Sequence, residues 1–281
     1  LIKESNMSLL SQAQAAVQSN TLTNMQEVAE QQGGNFERKL LPTGKARVRF
    51  TGYIECGTQQ QQAFQGKAKP PAPEVRLVFH VVGGKGRDEQ GNVVDFVSQE
   101  DIEKGFFPRI SPFFPMAIKA GDRAGSTKVW KAMNYAGDAN SYVDLLIQQK
   151  LYLLPIRQGT NKAGKPINLY DLADLEEAVN PDTCEVYDAP TVPEDKIQLF
   201  LFDHPTVEQW NSIFIDGTTQ DGKSKNYIQE YIQKATNFVG SPMEQLLMSG
   251  GVTLPSITEE ATETSERASE APSDLPAVPT V

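Results

Sequence analysis

The chain has 281 residues, 39% of them hydrophobic, and a formal net charge of −10. That is enough apolar material for a core, but no apolar run approaches the roughly 18 residues that cross a bilayer, so no membrane-spanning helix is expected. Cys56, Cys184, His80 and His204 are the only cysteines and histidines; they exclude a disulfide framework, and no two of them lie at zinc-ligand spacing.

The N-terminus shows no charged-then-apolar signal pattern, and a reducing cytoplasm is the expected compartment. Leu1 opens the chain, and Met7 is a candidate start that leaves Leu1–Asn6 as upstream sequence. From Ser8 to Gln32, apolar residues at Leu9, Leu10, Ala13, Ala16 and Val17 have helical spacing, so residues 1–34 read as a helix or a loosely held arm ended by Gly33-Gly34. Lys45–Glu55 alternates as a half-buried strand. Ala46, Val48, Phe50 and Ile54 are expected on the inner face, with Lys45, Arg47, Arg49 and Tyr53 on the outer. Glu74–Val82 repeats the pattern, with Val75, Leu77, Phe79 and Val81 inward and Arg76 and His80 outward. A Gln-, Lys- and Pro-rich loop, Gly57–Pro73, joins the two strands.

A third strand is expected near Met116–Lys119, and short helices over Ser126–Asn134 and Ser141–Gln149, with Ser126 and Asn140 as caps. Leu151–Arg157 and Ile167–Tyr170 read as strands. The order strand, strand, strand, helix, strand, strand is that of an oligonucleotide-binding (OB) barrel, so an α+β chain is expected with a five-stranded OB-like β-barrel over residues 35–170. An acidic connector and a small helical element packed on the barrel fill residues 171–249. There, Ile197–Phe202 reads as a strand, Thr206–Trp210 and Ser224–Phe238 as helices, and Met243–Met248 as a further turn. Residues 250–281, rich in Pro, Ser, Thr and Glu and without an aromatic residue, read as a disordered acidic C-terminal tail.

Charge is unevenly spread. Residues 37–89 carry ten Lys/Arg against five Asp/Glu, residues 171–199 nine acidic groups against one Lys, and residues 256–281 six against one Arg. The chain is basic in front and acidic behind, so the sum alone does not exclude a nucleic-acid partner. Gly217–Ser224 satisfies the phosphate-loop pattern G-x-x-x-x-G-K-[ST], but one helix and the tail are all that follow it. The plainer reading is an Asp221-Gly222 turn with Ser224 capping the next helix. No nucleophile, paired-carboxylate or metal-ligand constellation stands out, so neither an enzyme nor a cofactor is expected.

The positive signal is cations interleaved with rings: Arg47, Arg49 and Tyr53 on one outer strand face, Arg76 on the next strand, Lys67 and Lys69 in the loop between, then Phe106, Phe107, Arg109, Phe113 and Phe114, then Lys128, Trp130 and Lys131. Single-strand binders need this mixture, because cations follow the phosphates while flat rings stack on unpaired bases. For Trp130 and Phe114 a core position stays open beside the stacking role.

Three stretches resemble phage proteins. They are Asn35–Gly44 with Arg49–Gly57, Gly66–Ala72 running into the strand to Val81, and Leu199–Thr206 with Glu208-Gln209-Trp210 and Lys225–Gln229. The chain is similar there to bacteriophage single-stranded-DNA-binding proteins of replication and recombination modules. The resemblance implies sequence-independent protection of single-stranded DNA in a host-cell cytoplasm, and phage replication proteins as partners of the acidic tail. Many such proteins close that tail with an aromatic residue, whereas this one ends Pro279-Thr280-Val281. A non-enzymatic phage structural or assembly protein is the alternative, and a nucleotide-binding protein using Gly217–Ser224 the second. Homo-oligomerisation and a preference for DNA over RNA stay open.

Overall fold

The computed structural model describes residues 40–63, 65–112, 114–161, 164–219 and 222–249. The arm expected before Gly34 and the tail expected from Gly250 lie outside them. The described residues form an α+β fold with six short α-helices and a ten-stranded, mostly antiparallel open sheet. Among them, no helix is long and apolar enough to cross a membrane.

The alternating segment at Lys45–Glu55 becomes β1 (Thr43–Gln59), longer than expected at both ends. β2 (Ala72–Gly83) lies antiparallel to it. A hairpin of β3 (Lys85–Arg87) and β4 (Val93–Asp95) follows, with β3 pairing the start of β1. After α1 (Gln99–Glu103), β5 (Arg109–Ile110) and β6 (Met116–Ala117) pair with β2. Then come α2 (Gly125–Met133), α3 (Tyr142–Gln148), β7 (Leu151–Thr160) and β8 (Pro166–Leu169). β7 pairs antiparallel with the first half of β1, and β9 (Glu176–Glu177) pairs with β7. β10 (Gln198–Phe200) runs parallel to β1 at Gly52–Ile54 and leads into α4 (Val207–Ser212), α5 (Tyr227–Gln233) and α6 (Pro242–Met248).

No strand pairing closes this sheet into the expected five-stranded barrel. The expected third strand near Met116–Lys119 shrinks to the two residues of β6, and β5, which also pairs with β2, is set apart from it by Pro112 and Pro115. Proline has no N–H for a ladder, so a continuous third strand cannot form here.

Two compact units share the chain. The larger holds Pro42–Arg157 and the chain from Leu169 onward. In the smaller, the described part is residues 40–41, 158–161 and 164–168. There the Leu41 amide donates to Asn168 Oδ1, and the Leu41 carbonyl accepts from Gln158 Nε2 and Asn168 Nδ2, each at 3.0 Å.

In the larger unit the core is double because β1 changes face along its length. Residues opposite each other across a strand pair share a face. Phe50 lies opposite Phe79, but the register shifts at Thr51, so Gly52 lies opposite Val78, Tyr53 opposite Leu77 and Ile54 opposite Arg76. One extra residue in a strand moves every later side chain to the other face. Tyr53, expected outside with Arg47 and Arg49, therefore turns inward, and Ile54, expected inside, turns outward.

The inner core holds Ala46, Val48, Phe50, Leu77, Phe79 and Val81, as the alternation predicts. Phe50 packs on Phe79 at 5.3 Å, and Phe79 meets Tyr152 edge-on at 6.3 Å. The outer core collects Ile54, Cys56 and Val78 with Phe200, Phe202, Trp210, Ile228, Ile232 and Met243. A third cluster seats Ala178 and Val192 of the acidic connector against Val82, Phe107 and Leu151. The outer face of β1 and β2, expected to meet solvent, is thus covered twice.

Thr206, where a helix was expected to start, caps α4, but the three expected caps differ. Ser141, not Asn140, caps α3, in a reciprocal box with Asp144. Ser126 lies inside α2, whose N-cap position is Ala124. Ser224 accepts from the Asn226 amide at 2.9 Å, two residues before α5 begins after Asn226.

Gly57 sits at φ +71 where β1 meets the outer core, and an added Cβ would lie 2.7 Å from both Ala235 Cβ and Phe202 Cε2. Both the backbone strain and the overlap oppose a side chain. Gly57→Ala should destabilise the protein by about 2 kcal/mol, read as a lower urea midpoint at unchanged slope. A second expectation concerns His80, which is buried with Nδ1 2.7 Å from Thr51 Oγ1. Burial, then Arg109 and Lys196, hold its pKa down to about 4, against 6.5 for the free side chain. The folded state therefore favours the neutral ring. Stability from this group is complete above pH 6.5 and is lost as the pH falls toward 4. His80→Gln should show a shallower loss of melting temperature over that window than the unsubstituted chain.

Candidate nucleic-acid interface

The cations and rings expected to form one surface separate into three groups. Arg47 and Arg49 are half-buried under the connector. Arg47 Nη1 donates to the Asp188 carbonyl at 2.7 Å, and its guanidinium lies 5.4 Å from the Tyr187 ring centre. Arg49 Nε, Nη1 and Nη2 donate to the carbonyls of Pro190, Gln149 and Ala189 at 2.7–2.8 Å. Burial pulls the Arg49 guanidinium below its ordinary pKa, and Asp188 partly offsets this. The two arginines thus act as clamps for the connector, and the expectation that they face solvent is corrected.

Arg76 and Phe107 are likewise interior. Arg76 is 5% exposed, with its guanidinium 5.3 Å from the Tyr227 ring centre. Phe107 is buried in the connector cluster. Tyr53, turned inward by the bulge, stacks on Tyr142 at 5.7 Å and donates to Glu55 Oε1 at 3.1 Å. Burial raises the pKa of both tyrosines, so both rings stay neutral.

The third group remains accessible. Lys128 and Lys131 are exposed on α2, with Lys131 paired to Asp122 at 2.9 Å. Between them Trp130 is half-buried, edge-to-face with Tyr142 at 5.0 Å. An open groove of about 270 Å³ lies here, lined by Ile118, Lys119, Thr127, Trp130, Asn140 and Tyr142. Its wall is pinned by Ser126, whose hydroxyl accepts from the Lys119 amide at 3.0 Å and donates to the Lys119 carbonyl at 3.2 Å.

The loop carrying Lys67 and Lys69 springs from the same end of the sheet. The Gln59–Ala72 pair closes that loop, and the Ile118 amide donates to the Pro73 carbonyl at 2.8 Å. Lys67 is exposed and Lys69 partly so. Arg109 stands exposed on β5, with Nη2 donating to Gln198 Oε1 at 2.9 Å.

Lys119, Asn140 and Tyr142 were not among the expected site residues. The signature Ser141-x-x-Asp144 marks the start of α3 in the sequence and places Tyr142 on its first turn. Nothing local, however, indicates that this turn faces Trp130.

The Gly217–Ser224 segment folds back on itself. Thr218 bridges to Ser224, and the amides of Thr219, Gly222 and Lys225 donate to the carbonyls of Lys223, Thr219 and Gly217. Among the described residues, no cluster of His, Cys, Asp and Glu could hold a metal ion. No family model, curated protein or solved structure matches the chain.

Arg49→Lys tests the clamp. A lysine cannot reach three carbonyls as the planar guanidinium fork does. With charge-assisted hydrogen bonds worth roughly 1.5–3 kcal/mol each, a stability loss of about 2 kcal/mol is expected by denaturant titration.

Proposed function

We propose that the protein binds single-stranded DNA without catalysis, through the Trp130–Tyr142 groove rather than the outer face of β1 and β2. The observation that carries this reading is the grouping at one open groove of a half-exposed indole, a neutral phenol ring and the exposed cation Lys119, with Lys128 exposed on the helix that carries the indole. Rings give stacking to unpaired bases of any sequence, and cations give a salt-sensitive hold on phosphates. The Lys67–Lys69 loop, at the same end of the sheet, extends the cationic rim.

The sheet order supports the reading as well. β1 pairs with β2 and β7, β2 with β5 and β6, β7 with β8, and α2 and α3 fall between β6 and β7. We read these pairings as compatible with an OB-like arrangement that is not closed. The setting, a bacteriophage replication or recombination module, rests on the resemblance of Asn35–Val81 and Leu199–Gln229 to that group.

Tryptophan fluorescence provides the test, because Trp210 is fully buried and Trp130 is the only other indole. Oligothymidine should quench the emission, with weaker binding at higher salt, and duplex of the same length should bind less tightly. Trp130→Leu should remove the quench and lower affinity about 5- to 150-fold, the range of one stacked base. Lys128→Ala should reduce the slope of log affinity against log salt by about 0.7, one phosphate contact. Absence of quenching and retention at low salt would overturn the reading.

A further inference from the structure

We infer that the single strand continues from the groove along the β6–β5 edge of the sheet, with Phe114 and Phe106 as further stacking stations and Arg109 as the phosphate contact between them. This rests on the proposed binding of single strands, and adds a path and a site size to it.

The edge has four properties that fit this occupant. First, it is aromatic and accessible: Phe114 is 72% exposed and Phe106 59%, at the end of the sheet beyond β2. Both are far more open than Phe50, Phe79, Phe96, Phe107, Phe200 and Phe202, which are buried.

Second, it is cationic in an acidic chain. Residues 106–121 contain Arg109 and Lys119 and no Asp or Glu, although the whole chain carries 36 acidic residues. A polyanion meets no repelling carboxylate from that stretch.

Third, it is continuous with the groove. Ala117 lies opposite Glu74, and Arg109 lies opposite His80. Six residues of β2 separate the two pairings, about 20 Å at a strand rise of ~3.3 Å per residue. Ile118 and Lys119, directly after β6, already line the groove.

Fourth, the edge is unsuited to adding another strand. β5 and β6 have two residues each, and Pro108, Pro112 and Pro115 interrupt the donors between and beside them. Short, proline-broken edges block strand addition. What remains on offer is rings and charge, which suits bases and phosphates.

Oligothymidines of 2, 4, 6, 8 and 12 nucleotides, titrated by Trp130 quenching, test the path. A track of about 20 Å beyond the groove should make affinity climb with length and level off within the roughly 4–16 nucleotides of one such domain. Phe114→Ser and Phe106→Ser remove exposed rings and should leave the melting temperature unchanged. Each should bind the shortest oligomers like the unsubstituted chain, yet lose about 5- to 150-fold on the 12-mer. If both variants bind the 12-mer as tightly as the unsubstituted chain while Trp130→Leu is impaired, the edge path is wrong and the groove stands. If instead the variants change only the sedimentation coefficient, the edge is a protein contact and the inference falls. Failure of every length to quench Trp130 would remove the proposed function itself.

Discussion

The register shift at Thr51 is the constraint on which the rest of the larger unit depends. A regular strand of 17 residues would present one apolar face throughout. By inserting one residue between Phe50 and Gly52, β1 presents Ala46, Val48 and Phe50 to one layer, then Ile54 to the opposite one. Gly52 completes the device. A Cβ there would lie 2.7 Å from Val78 Cβ and 3.3 Å from Gln198 Cβ, so only a glycine lets β10 and β2 both come close. The parallel pairing of β10 with Gly52–Ile54 follows, and with it the position of α4, α5 and the outer core.

The connector decides what the cations of β1 do. Once the outer face is covered, Arg47 and Arg49 lie beneath the chain rather than before solvent. Half-buried guanidinium groups need acceptors on the donors that face protein. The connector supplies them as main-chain carbonyls of Asp188, Ala189 and Pro190. Its prolines suit this work: a proline-rich segment forms few ladder bonds of its own and leaves carbonyls to accept from side chains. The acidic composition of residues 171–199 adds a long-range attraction to the basic β1, but the close contacts are made by backbone dipoles.

The surface that remains is set by where the double covering ends. α2 and α3 pack on the inner layer through Val129, Met133, Leu145 and Leu146 and leave Trp130 and Tyr142 at the rim. Tyr53, turned inward by the shift, supports Tyr142 from below. Tyr53, Tyr142 and Trp130 form a chain of rings in contact, with Trp130 half-buried at its end. The capping box of Ser141 and Asp144 fixes the start of α3, and so the place of Tyr142 in that chain.

The sequence by itself determined the longer elements, but not β3, β4, α1, β5 or β9. Alternation located β1 and β2 and named the inner core, helical spacing located α2 and α3, and Thr206 marked the start of α4. These signals are local: side-chain period and capping chemistry act within a few residues. The tertiary structure alone decided which face of β1 meets solvent, because a bulge is a one-residue event that leaves the alternation on either side intact. It also decided that Arg47, Arg49 and Arg76 are structural while Lys119, Lys128 and Trp130 stay accessible. An arginine on a polar strand face reads the same whether water or the carbonyls of residues about 140 positions away satisfy it. The closure of the sheet was beyond the sequence reading for a related reason. Prolines 112 and 115 are visible as strand breakers, but whether a barrel tolerates the break depends on partners supplied from elsewhere in the chain.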